Sequence, residues 1–134
     1  MFRTRVIIAG FLATALASSA KNTSTGEWNA YAGNNASTKY SPLDQINATN
    51  ASQLRVVWRW KSPDAAILSK HPQLITWKFE ATPIMVGGVL YTSTSLSQVA
   101  AIEAATGRTL WVYDPQSYKA GIPNNGGFLQ RGLA

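Results

Sequence analysis

The chain has 134 residues, 46% of them apolar and 13% charged, which suits one ordinary folded domain and excludes an intrinsically disordered chain. It contains no cysteine and a single histidine, which excludes a disulfide scaffold, a thiolate metal site, a cysteine nucleophile and any metal site needing two imidazoles. The formal charge is +6; past residue 20 ten basic and six acidic side chains leave +4, scattered without a run, so no nucleic-acid partner is indicated.

Residues 1–20 read as a signal peptide. Arg3 and Arg5 form a basic start, Val6 to Ala17 is apolar, and Ala15-Leu16-Ala17 and Ser18-Ser19-Ala20 offer small residues at cleavage spacing. Such a run makes only about 18 Å of helix, short of a ~30 Å hydrocarbon core, so it predicts export to the periplasm rather than a membrane anchor. Residues 21–53 form a polar leading segment rich in Asn, Ser, Thr and Ala, with Trp28, Tyr31 and Tyr40 as the expected anchors. Asn22, Asn35, Asn47 and Asn50 each begin an Asn-x-Ser/Thr triplet, which reads as a polar surface before it reads as glycosylation.

Residues 54–134 carry the strand signals. Leu54 to Trp60 is β-branched and aromatic, a strand by composition, with Trp58 and Trp60 on one side and Arg59 on the other. Residues 61–78, with Pro63, Pro72 and His71, predict a loop in which the histidine is exposed and inert. Ala81–Val86 predicts a strand, Gly87-Gly88 a two-residue hairpin turn, and Val89–Ser95 the return strand. Ser97–Ile102 and Thr109–Tyr113 follow, joined by a turn in which Gly107 suits a left-handed backbone. The expectation is all-β: a four-stranded antiparallel meander. Its apolar residues do not sort to one face, so both faces need cover. Stacking such sheets as blades of a β-propeller covers both, whereas a sandwich covers one.

The segment Ala101-Ile102-Glu103-Ala104-Ala105-Thr106-Gly107-Arg108-Thr109-Leu110-Trp111 resembles the tryptophan-docking repeat of quinoprotein dehydrogenases, A-x-D-x-x-T-G-K-x-x-W, with Glu103 and Arg108 as mild departures. Gly26-Glu27-Trp28 with Tyr31 and Gly33, and Tyr40 to Asn47, are similar to the leading segment of dehydrogenases dependent on pyrroloquinoline quinone (PQQ). Phe79-Glu80-Ala81-Thr82-Pro83 is similar to the family's first-blade signature, and Gln130-Arg131-Gly132 to its arginine-glycine motif. The resemblance implies the first blade of an eight-bladed propeller, in which Trp111 wedges against a neighbouring blade. It implies PQQ as cofactor, with Glu80 and Arg131 as the cofactor-binding residues.

The family resemblance further implies a Ca²⁺ beside the cofactor and an aspartate base, contributed by later blades; no catalytic residue and no metal ligand is assigned in this chain, and Asp44, Asp64 and Asp114 read as turn or loop residues. The implied reaction is oxidation of an alcohol, polyol or aldose, with electrons passing to a membrane quinone or a cytochrome. The adjacent cysteines of many alcohol-oxidising members are missing from Asn124–Gln130, which leans towards the polyol and sugar branch. A blade takes about 40–50 residues, so the chain is expected to hold one blade of a longer enzyme and to be inactive by itself. Two rivals differ in class. A non-catalytic envelope scaffold would need the docking repeat without Glu80 and Arg131, and a small glycan-binding domain would rest on the five tryptophans alone.

Overall fold

The computed structural model describes residues 26–124 and 127–133. The expected signal peptide, and Asn22, lie outside the described residues. A short helix, α1 (Asp64–Leu68), precedes six strands: β1 (Thr76–Thr82), β2 (Ile84–Val86), β3 (Val89–Ser93), β4 (Val99–Glu103), β5 (Thr109–Tyr113) and β6 (Phe128–Gly132). Strands β2 to β5 form an antiparallel sheet in sequence order, and β1 pairs in parallel with β6 as a separate ribbon. No helix among the described residues is long and apolar enough to cross a membrane.

The meander matches its expected punctuation. Gly87 and Gly88 adopt φ of +59° and +76° between β2 and β3, the left-handed pair that a tight hairpin requires. The Glu27 carboxylate accepts from the Gly87 amide at 3.0 and 3.1 Å and closes the turn. Beside it the leading segment adds a two-way backbone bridge: Trp28 N donates to Met85 O at 3.0 Å and Met85 N to Trp28 O at 2.9 Å. Trp28 is thus an anchor, whereas Tyr31 and Tyr40 remain 60% and 68% exposed.

Three expectations shift. The expected strand at 81–86 is split at Pro83, which lacks an amide for a ladder, so Thr82 ends β1 and Ile84 starts β2. Leu54 to Trp60 is not a strand, because no strand among the described residues pairs with it. It is held instead by two side chains: Trp58 Nε1 donates to Ala104 O at 3.1 Å and Trp60 Nε1 to Thr109 Oγ1 at 2.9 Å. Finally, the expected loop at 61–78 contains α1 and the start of β1, and His71 is half-buried, its ring 5.8 Å from that of Tyr118.

The core is small. Leu74, Leu96 and Phe128 meet beneath Ile67, Leu68 and Tyr118, which joins α1, the β3–β4 loop and β6. Ala100, Ala101 and Ile102 of β4, the inner strand between β3 and β5, are also buried. By contrast Val57, Trp77, Phe79, Trp111 and Tyr113 are 85%, 66%, 55%, 47% and 62% exposed, so the sheet and ribbon both present apolar side chains outward.

Candidate cofactor site

The docking turn is closed by its own residues and braced from outside by Trp58 and Gly88, which bond the Ala104 carbonyl and amide. Glu103 N donates to Arg108 O and Gly107 N to Glu103 O, each at 2.9 Å. The Glu103 carboxylate accepts from Thr106 Oγ1 and, at 3.1 Å, from Arg108 Nη2. The Thr106 hydrogen bond first, then Arg108, hold its pKa below the ordinary 4.5. Gly107 is required twice: its φ is +74°, and a Cβ there would meet Trp58 ring atoms at 2.6 Å. Beyond the turn, Leu110 is an extra residue opposite the Ala101–Ile102 step, and Trp111 pairs with Ala101. The Trp111 indole lies tilted over Tyr91 at 6.0 Å. Its partial exposure suits the wedge role expected of it.

The ribbon is arranged differently. Phe128 is buried and Gln130 half-buried, while Leu129 and Arg131 are exposed, so β6 alternates inward and outward. Phe79 pairs with Gln130 and Thr82 with Gly132, so Glu80 and Ala81 together lie opposite Arg131 where the register slips. The two residues named from distant parts of the sequence thus fall on the same step of the ribbon, without an ion pair between them. Glu80 Oε1 lies 3.7 Å from Lys78 Nζ. The other ion pair among the described residues is Arg108–Glu103, so Arg131 is committed to neither. Glycines bracket β6 because the two backbones nearly touch: a Cβ at Gly127 would lie 2.6 Å from Ile75 O, and one at Gly132 would lie 3.1 Å from Thr82 O.

A cavity of about 600 Å³ opens elsewhere, between Trp58, Trp60, Phe79, Leu90 and Ile102. Its lining is mainly apolar and includes neither Glu80 nor Arg131, so it is an uncovered part of the sheet face rather than a pocket for a triacid. Asp64 reaches its wall but is already engaged. Its carboxylate is buried and accepts from Thr94 Oγ1 at 2.7 Å and from Leu96 N at 3.2 Å. Sequence reasoning took Asp64 for a loop residue; Ser62-Pro63-Asp64 is a helix-start signal that could have found α1, though not the distant partners. The Gln130–Ser97 hydrogen bond, 2.7 Å from Nε2 to Oγ, also had no sequence signal.

The donor set fits PQQ in part. An outward guanidinium outside both ion pairs can offer paired hydrogen bonds to a carboxylate or to quinone oxygens. No three His, Cys, Asp or Glu side chains gather among the described residues to hold a metal, so no Ca²⁺ ligand is assigned.

Comparison with known proteins agrees with the geometry. Residues 28–134 match the PQQ family described as "Glucose/ethanol/alcohol dehydrogenase, beta-propeller domain". The dehydrogenase subunit of alcohol dehydrogenase (quinone) from Gluconobacter oxydans is 38% identical over 113 residues, covering 84% of this chain and 13% of that protein. The quinoprotein glucose dehydrogenase of the same organism is also 38% identical, over 81% of this chain and 14% of its own. The crystal structure of quinohemoprotein alcohol dehydrogenase from Comamonas testosteroni superimposes with a TM-score of 0.55 at 39% identity, over 69% of this chain and 12% of that one. The chain thus spans about an eighth of the relatives it matches. With a blade-like meander, a complete docking turn and this match over most of its length, the chain belongs to the PQQ-dependent glucose/ethanol/alcohol dehydrogenase family and forms part of its β-propeller domain.

Proposed function

We propose that this chain contributes one wall of a PQQ site in an exported, periplasmic oxidoreductase that acts on the CH–OH group of an alcohol, polyol or aldose. The observation that carries the reading is that Glu80 and Arg131 fall on the same step of the β1–β6 ribbon, with Arg131 exposed and outside both ion pairs. Bound PQQ would supply the two-electron acceptor for substrate oxidation, and the reduced cofactor would pass electrons to a membrane quinone or a cytochrome. In this reading Arg131 binds an anionic or carbonyl edge of the cofactor by paired donation. Glu80, whose charge is partly balanced by Lys78, accepts a hydrogen bond or offsets the local positive charge. The docking turn holds the blade in shape and takes no part in chemistry. Ca²⁺ and the catalytic base belong to residues outside this chain.

The test is equilibrium binding of PQQ to the protein carrying this segment, followed by the cofactor's absorption. Arg131→Ala is expected to weaken binding by ten- to a hundredfold, a charge-assisted pair being worth about 1.5–3 kcal/mol. Arg131→Lys recovers part of this, because the charge remains and the fork does not. Unchanged binding by Arg131→Ala would remove the reading and favour a non-catalytic scaffold, which needs only the docking turn.

A further inference from the structure

We infer that the Gln130–Ser97 hydrogen bond is a positioning device for Arg131, so that Gln130 and Ser97 act on cofactor binding without touching the cofactor. The inference rests on the reading of Arg131 given above. Arg131 lies opposite one of the two slips in the ribbon's ladder. The register of β1 against β6 slips between Phe79 and Thr82, opposite the step from Gln130 to Gly132. Bulges of this kind re-aim side chains, and they also leave the local register weakly held by the backbone. A side-chain bond to a neighbouring element would add a second hold on the strand there.

Gln130 supplies it. Its side chain points inward, opposite to that of Arg131, and Nε2 donates to Ser97 Oγ at 2.7 Å. Ser97 stands on a rigid platform. The β3–β4 loop is closed by Thr94 N to Gln98 O at 2.8 Å and by Ser97 N to Thr94 O at 3.1 Å. The buried Asp64 carboxylate holds the same loop through Thr94 Oγ1 and Leu96 N. Ser97 itself has φ of +66°, a left-handed backbone uncommon for a residue other than glycine. A left-handed serine that presents its hydroxyl to a strand next to a ligand-binding arginine is the kind of local strain that persists at functional positions. Gly132, whose missing Cβ lets β6 approach Thr82, completes the hold from the other side of Arg131.

The left-handed backbone makes a clean test possible. Ser97→Gly deletes the acceptor hydroxyl and relieves the backbone, so folding is preserved or improved while the clamp is lost. In the protein carrying this segment, Ser97→Gly and Gln130→Ala are each expected to raise the Kd for PQQ about fivefold, the factor carried by one net hydrogen bond. The double variant should be no worse than either single one. Ser97→Asn, which tolerates the left-handed backbone and brings back a side-chain oxygen, should restore affinity. A raised Kd at an unchanged denaturation midpoint marks a positioning role, because a merely structural role would leave the Kd of the folded protein unmoved. Should Ser97→Gly bind PQQ like the parent while Arg131→Ala does not, the clamp is refuted and the role of Arg131 stands. If Arg131→Ala also binds like the parent, both fall together. Where Gln130→Ala does not fold, Ser97→Gly and Ser97→Asn still decide.

Discussion

The docking turn and the β1–β6 ribbon each contain one glutamate and one arginine of interest, and they use them in opposite ways. In the turn, Glu103 spends its carboxylate on Thr106 and Arg108, three and five residues away in the same chain. In the ribbon, Glu80 makes a loose contact with Lys78, and Arg131 enters neither ion pair. A structural motif satisfies its polar groups internally, which makes it stable and chemically mute. The edge proposed to hold the cofactor leaves Arg131 outside both ion pairs, so that an incoming group can complete it. The difference lies in partner geometry and not in residue type.

The sharpest way to break this contrast is to attack the turn at its tightest contact. Gly107→Ala adds a Cβ 2.6 Å from the Trp58 ring and forces alanine to φ of +74°. A loss of about 2–4 kcal/mol is expected, from the left-handed penalty and the displaced indole together. Chemical denaturation measures it, with a red shift of tryptophan emission as Trp58 leaves its seat. A smaller effect is expected at the loop that supports the ribbon. Asp64→Ala leaves Thr94 Oγ1 and Leu96 N buried without their acceptor, a loss of about 2–3 kcal/mol, and Asp64→Asn keeps one acceptor and loses less.

The turn also has a signature in pH. Folding lowers the Glu103 pKa below 4.5, chiefly through Thr106, so its contribution is complete above that ordinary value and fades as pH falls through the lowered one. Thermal melts of the parent should lose stability below about pH 4.5, and Glu103→Gln should flatten that part of the profile; an unaltered slope would contradict the assignment. The smallest effect belongs to the ribbon. Glu80→Gln should change stability by no more than about 0.5 kcal/mol, since the Lys78 pair is exposed and long at 3.7 Å. A large loss there would mean that Glu80 is structural after all.

The same contrast governs what the sequence makes legible. The turn could be read in detail because the bonds that close it, among Glu103, Thr106, Gly107 and Arg108, lie within a few residues of one another, and left-handed glycine has a sequence signature. The hairpin at Gly87-Gly88 was legible for the same reason. Glu80 and Arg131 could be named only by resemblance, because their falling on one step of the ribbon depends on two strands separated by an entire sheet. Leu54 to Trp60 misled because strand composition says nothing about whether a partner strand exists; its indoles seek a carbonyl and a hydroxyl instead. Asp64 and Gln130 were silent for a related reason. Their partners, Thr94 and Ser97, are 30 and 33 residues away, and no periodicity reports such pairs.

The parallel pairing of β1 with β6 has a consequence for the order of assembly. The hairpins from Ile84 to Tyr113 join neighbours in sequence and can zip first, whereas Thr76–Thr82 must wait for Phe128–Gly132. During that interval β1 is a bare edge carrying Trp77 and Phe79, the sort of edge that recruits a foreign strand. Closing so long a loop is the slow, entropically uphill step of the sequence. The stretch of folding between formation of the meander and docking of the sixth strand is therefore the one in which misassembly has most opportunity.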